Sequence, residues 1–208
     1  AWKEDGVFSI GDRKISDESS SFIIAEIGNN HNGSVELAKK LIDAAAKSGV
    51  DCVKFQLRDM DTLYNKKGKD ISEDLGSEYT LDLLSRNQLT VNEMFDVFDY
   101  AHQSKLIPLC TPWDLVSLER LNNYGVQGLK ISSADLTNHR LLEAAADTRL
   151  SLLVSTGMSR EYEIQESISL LNQKSTSFAL LHSNSTYPTP MSDINLSYMD
   201  RLKEMTNG

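Results

Sequence analysis

Lys54 and Gln56 stand two apart in an otherwise apolar run, DCVKFQL, so on an extended strand both side chains point to one face. Lys130 interrupts a second apolar run, QGLKIS, with Ser132 and Ser133 directly behind it. Glu26 closes a third, FIIAEI, and its apolar company predicts a buried carboxylate. Buried ammonium groups need anionic partners, and Glu26 can neutralise only one of the two lysines. A phosphate or carboxylate ligand would satisfy the other. Thr111, Ser133, Ser155 and Ser185 add hydroxyl donors, and the Ser155-Thr156-Gly157 turn adds backbone amides where a helix begins. Such a turn is a natural anion seat. Taken singly, each lysine could instead be a snorkelling or salt-bridged residue. Together these residue types predict a pocket for a small anion with one carboxylate at hand.

Those residues need elements to hold them. Strands are predicted at 22–27, 51–57, 106–110, 127–132, 150–155 and 177–183, with helices near 34–48, 91–104, 114–123, 138–147, 159–172 and 195–205. In the first helix Val35, Leu37, Ala38, Leu41, Ile42 and Ala45 form one stripe, with Ser34 as N-cap. Strands alternating with helices imply right-handed βαβ units and a parallel sheet. Residues 1–21 read as a lead-in hairpin turning at Gly11-Asp12, and 58–90 as a polar insertion suited to a lid or substrate loop.

An α/β chain of this pattern is either a doubly wound open sheet or a TIM (β/α)8 barrel. GNNHNGS (28–34) has the glycine spacing of a phosphate loop but lacks the lysine before its hydroxyl residue, and no GxGxxG follows a strand. Polar residues instead end one strand after another: Glu26, Lys54 and Gln56, Thr111, Lys130 and Ser133, Ser155, Ser185. Single contributions from successive strand ends are how a barrel builds a site, so the barrel is the expected fold. Only about six βα units are present before Asn207-Gly208, which reads as a piece of a longer protein.

With 21 Lys and Arg against 30 Asp and Glu, the net charge of −9 excludes a basic nucleic-acid footprint and a polybasic membrane contact. Cys52 and Cys110 both sit in apolar runs, as reduced core thiols do. Without a signal peptide or a run of 18 apolar residues, a soluble cytoplasmic protein is expected.

FIIAEIGNNHNG (22–33), VKFQ (53–56), CTPWD (110–114), LKISSADLTN (129–138), STGM (155–158) and LLHSNSTYPTP (180–190), in this order and spacing, resemble the sialic acid synthase, or NeuB, family. The resemblance covers residues 22–208 as a partial barrel catalytic domain. It implies condensation of phosphoenolpyruvate with an N-acetylmannosamine-type aldose, giving a nine-carbon 2-keto-3-deoxy sugar acid and phosphate. It further implies that Lys54, Thr111, Lys130, Ser133, Ser155 and Ser185 hold phosphoenolpyruvate, that Glu26 acts at the reacting carbons, and that Gln56, Asp135 and Tyr187 face the sugar. A divalent metal, Mn2+ or Mg2+, is implied as cofactor, with histidine ligands expected beyond Gly208. A C-terminal antifreeze-like domain and a homodimer are implied too, so this chain alone is expected to lack turnover.

Where relatives carry Gly-Glu after the first Ser of the fourth-strand turn, this chain has Ala134-Asp135, and its 58–90 insertion matches the family poorly. Both leave the sugar open among sialic, legionaminic and pseudaminic precursors. His31, Asn29 and Asn30 read equally as ligand contacts or structural residues. His182 reads as a core or supporting residue, and Trp113 and Tyr187 as core or pocket aromatics, with Tyr187 the better pocket candidate. Two rival functions remain: a Schiff-base aldolase using Lys130 or Lys54, and a non-catalytic sugar- or phosphate-binding domain.

Overall fold

Val53, Phe55 and Leu57 are fully buried, while Lys54 and Gln56 between them keep partial exposure. This alternation makes strand β4 (Cys52–Leu57) two-faced: one side packs on helices and the other displays polar groups. On the packed side, the Phe55 ring meets Phe98 of the helix Val91–Gln103 with centroids 5.7 Å apart. The computed structural model containing this strand describes residues 8–63 and 83–206. They belong to two compact units, Phe22–Val126 and Ala1–Ser21 with Gln127–Gly208.

In the unit Phe22–Val126, β3 (Ile24–Gly28), β4 and β5 (Ile107–Pro112) pair in parallel in that order. Helices Val35–Lys47, Met60–Leu63, Val91–Gln103 and Leu115–Tyr124 accompany them. The longer helices begin at sequence-encoded caps. Ser34 Oγ accepts from the Leu37 N–H at 3.2 Å, and Asp114 Oδ1 accepts from the Ser117 N–H at 2.7 Å. Thr90 and Glu93 form a reciprocal capping box.

In the other unit, β1 (Phe8–Ile10) and β2 (Arg13–Ile15) form an antiparallel hairpin with Ile10 opposite Arg13, leaving Gly11-Asp12 as its turn. Strands β6 (Leu129–Ile131), β7 (Leu152–Ser155) and β8 (Phe178–Leu181) pair in parallel, again in chain order. Helices His139–Asp147, Glu161–Gln173 and Tyr198–Thr206 alternate with them, and 3₁₀ turns occupy Ser133–Asp135 and Met191–Asp193.

Several strands are shorter or displaced relative to expectation. The first starts at Ile24 because the Ile23 N–H donates to the Asp51 carboxylate at 2.8 Å. The last stops at Leu181, opposite the end of β7 at Ser155, so Ser183 and Ser185 lie in the following loop. The insertion is not wholly irregular: Met60–Leu63 and 83–86 are helical, while its 64–82 portion, and with it most of the expected lid, lies outside the described residues. Cys52 and Cys110 are free and buried, and burial raises both thiols, Cys110 to about 12. Among the described residues no helix is long and apolar enough to cross a membrane.

Candidate active site

Strand register assembles the first polar cluster. Glu26 on β3 stands opposite Lys54 on β4, and Gln56 stands opposite Thr111 on β5, so all four share one face. Lys54 Nζ lies 2.6 Å from Glu26 Oε2 and donates to Thr111 Oγ1 at 3.3 Å. The β3–β4 register slips between Glu26 and Gly28, where the backbone takes φ +53. A Cβ on Gly28 would lie 3.0 Å from Glu26 Oε1 and 3.5 Å from Gln56 Nε2, so glycine keeps a gap between those two polar atoms. Glu26 is not the buried carboxylate expected from its apolar run: its side chain is 50% exposed, on the polar face it shares with Lys54, while the next residue, Ile27, is buried. Its partner Lys54 is the deeper of the two, at 11%.

Arg58 extends the cluster as the next same-face position after Lys54 and Gln56. Its Nη2 donates to Gln56 Oε1 at 2.7 Å, and its guanidinium lies 4.3 Å from the centroid of the Trp113 ring. Trp113 therefore supports a cation; its Nε1 is buried without a hydrogen-bond partner. Near the β3 exit, His31 is fully buried, and its Nδ1 accepts from the Gly33 N–H at 3.2 Å. Its Nε2 has no partner, and burial lowers its pKa. Of the two readings open for His31, the structure favours the structural one. Asn30 likewise donates to the Ile27 carbonyl at 2.9 Å within the same turn.

The second cluster belongs to the other unit. Lys130 is 8% exposed, and its Nζ donates to Ser155 Oγ and to the Ile131 carbonyl, each at 2.6 Å. Ser183 Oγ donates to Ser155 Oγ at 3.0 Å. Ser133 Oγ accepts from the Gly157 N–H at 3.2 Å, and Ser185 Oγ donates to the Gly157 carbonyl at 3.2 Å. Gly157 is where this cluster is tightest: an added Cβ would come within 2.7 Å of the Ser183 carbonyl oxygen. Lys130, Ser133, Ser155 and Ser185 are thus brought together as expected.

Two expected sugar contacts behave differently. Asp135 is buried inside its own turn, where Oδ2 accepts from Ser132 Oγ at 2.6 Å and Oδ1 from Asn138 Nδ2 at 3.2 Å. Its carboxylate fixes the start of the helix His139–Asp147 rather than presenting free oxygens to a sugar. Tyr187 is 94% exposed, which corrects its reading as a pocket-lining aromatic held by its prolines. His182 packs edge-on against Tyr198 at 5.8 Å, the supporting role expected of it. Arg58 and Ser183 were missed. The i, i+2, i+4 spacing from Lys54 points to Arg58; Ser183 carries no signal inside the strand predicted at 177–183. Among the described residues no group of three or more His, Cys, Asp and Glu side chains is placed to hold a metal ion. The histidine ligands implied by the resemblance are expected beyond Gly208.

The NeuB family matches residues 41–207. The chain belongs to the NeuB family. Its relatives include an uncharacterised protein of Methanocaldococcus jannaschii, 38% identical over 95% of this chain and 56% of that one. The N,N'-diacetyllegionaminic acid synthase of Campylobacter jejuni is 35% identical, covering 88% of this chain and 57% of the synthase. The N-acetylneuraminic acid synthetase structure from Leptospira borgpetersenii, solved with citrate, superposes with a TM-score of 0.86 at 32% identity, over 95% of this chain and 66% of that one. This NeuB chain spans about half the length of the curated relatives it matches. Parallel strands alternating with helices, together with that superposition, give it a TIM (β/α)8-type α/β fold.

Proposed function

We propose that the whole protein condenses phosphoenolpyruvate with an N-acylated, mannosamine-type aldose, forming a nine-carbon 2-keto-3-deoxy sugar acid and releasing phosphate. Membership of a family of sugar-acid synthases supports the class of product. The observation that carries the reading is the Lys54–Glu26–Thr111 cluster, in which a cation, a carboxylate and a hydroxyl from three adjacent strands meet on one polar face. Lys130 with Ser155, Ser133, Ser183 and Ser185 supplies a second set of the same kind.

Phosphoenolpyruvate carries close to three negative charges, and fixed ammonium and hydroxyl donors hold such charge without reorganising. Lys54, Thr111, Lys130, Ser133, Ser155 and Ser185 are assigned to its phosphate and carboxylate, and Gln56 to the sugar. Orienting enol and aldehyde replaces a bimolecular encounter with a unimolecular one. The enol C3 forms the new bond to the aldehyde carbon, and C2 becomes electron-poor. The C=O π pair moves to the aldehyde oxygen, which takes a proton from solvent to become a hydroxyl. Water adds to C2, Glu26 takes a proton from that water, and phosphate departs to leave the ketone. The half-exposed position of Glu26 suits this task, since the water must reach it from solvent. Mn2+ or Mg2+, a cytoplasmic location and a homodimer belong to the proposal as properties of the whole protein, and no step is assigned to the metal.

The test is phosphate release by the full-length protein given phosphoenolpyruvate. It should require the sugar, and Glu26→Gln should lower kcat by about 10²–10⁴-fold, the usual contribution of a positioned base. Release without sugar, or an unchanged kcat in Glu26→Gln, contradicts the proposal. Borohydride inactivation with a keto acid would instead support a Schiff-base aldolase.

A further inference from the structure

Gln56 carries a carbonyl oxygen and an amide nitrogen at almost equal reach, and which one faces a ligand decides whether it accepts or donates. Arg58 removes that choice. A guanidinium has donors only and does not lose its proton in proteins, so the Gln56 atom 2.7 Å from Nη2 is Oε1. Nε2 is then turned toward Gly28, lying 3.5 Å from where a Cβ there would stand; Glu26 Oε1 lies 3.0 Å from the same point. Gly28 has no side chain, so no methyl group crowds the Glu26 carboxylate or the Gln56 amide. The arginine is itself fixed. Its plane rests on Trp113 at 4.3 Å, and its backbone carbonyl accepts from Gln88 Nε2 at 2.6 Å. The next residue, Asp59, donates its N–H to Asp114 Oδ2 at 2.8 Å and pairs with Arg120 at 3.0 Å.

We propose that Arg58 is a positioning residue that locks the Gln56 amide so that Nε2, on the Gly28 side, is presented as a donor to an oxygen of the sugar. A donor fixed in this way reads an accepting oxygen of the sugar, a hydroxyl or an acyl carbonyl. This inference rests on the proposed function for the identity of the ligand, and on the unit Phe22–Val126 alone for its geometry.

The experiment is a double-mutant cycle on the full-length protein with Arg58→Met, Gln56→Ala and the pair, reading KM for the sugar, KM for phosphoenolpyruvate and kcat. Arg58→Met should raise the sugar KM about tenfold, the factor carried by one hydrogen bond of ordinary strength. Phosphoenolpyruvate KM should stay within about twofold, a change too small to represent a lost hydrogen bond. In the Gln56→Ala background, Arg58→Met should change nothing further, and Arg58→Lys, which keeps a donor, should recover part of the loss. Equal effects of Arg58→Met with and without Gln56, or parallel rises in both KM values, would overturn the inference while leaving the proposed function intact. If the unsubstituted protein shows no condensation, the proposed function fails instead. The lock is then read from the 15N-labelled Gln56 side-chain amide, whose two proton signals should move in Arg58→Met; signals that stay in place overturn it.

Discussion

At the scale of single residues, His31 shows how a polar group can be built in without being part of the chemistry. Its neutral ring accepts from the Gly33 N–H through Nδ1, and burial lowers its pKa from 6.5. A protonated Nδ1 would set a donor against that donor. Because the folded pKa lies below the unfolded one, the unfolded chain binds the proton first, so stability is full above the unfolded value of 6.5 and falls as pH drops below it, levelling off beneath the folded pKa. Urea unfolding between pH 7.5 and 5 should show this loss, and His31→Gln, which keeps an acceptor that does not titrate, should flatten it. Equal pH slopes for the two proteins would show that the His31 ring is not what titrates. Glu26, Lys54 and Lys130 were legible from residue type alone, since ionic groups in apolar runs demand a reason. The exposure of Glu26 was not, because it follows from the sheet face on which it stands, which a single strand does not encode.

At the scale of elements, the period of two along β4 made Lys54 and Gln56 readable as one face, and the same period reaches Arg58. Arg58 is the first residue of the polar insertion predicted at 58–90, so composition masks that geometric signal. Asp135 went the other way. Resemblance suggested a sugar contact, but Ser132 and Asn138, each three residues from it, satisfy both its oxygens, a short-range pattern of the kind that starts helices. Loop approach was invisible in sequence. Gly157 packs so closely on the Ser183 carbonyl, 2.7 Å from an added Cβ, that the β7 and β8 exits must move apart to admit a methyl group. Gly157→Ala should cost about 1–3 kcal/mol in urea unfolding, the usual penalty for overpacking. It should also weaken phosphoenolpyruvate binding, since Ser183, Ser185 and Ser133 all meet at that turn. An unperturbed midpoint would mean the loop yields freely.

At the scale of the whole molecule, the alternation of strands and helices and the rejection of phosphate-loop motifs were enough to anticipate a barrel-type α/β fold, which the match over 95% of the chain bears out. The sugar was not legible. The segment expected to read it has little periodicity, and Asp135, the sugar contact the resemblance implies, is held within its own turn. Central to the proposed function is that Lys54 and Lys130, each already bonded to a hydroxyl group at a strand end, bind anionic groups of the substrate. The most direct test is calorimetric titration of phosphoenolpyruvate into the full-length protein and its Lys54→Met and Lys130→Met variants. Each substitution should weaken binding by at least about tenfold, given that hydrogen bonds to charged groups contribute roughly 1.5–3 kcal/mol. Wild-type affinity in either folded variant would contradict the account.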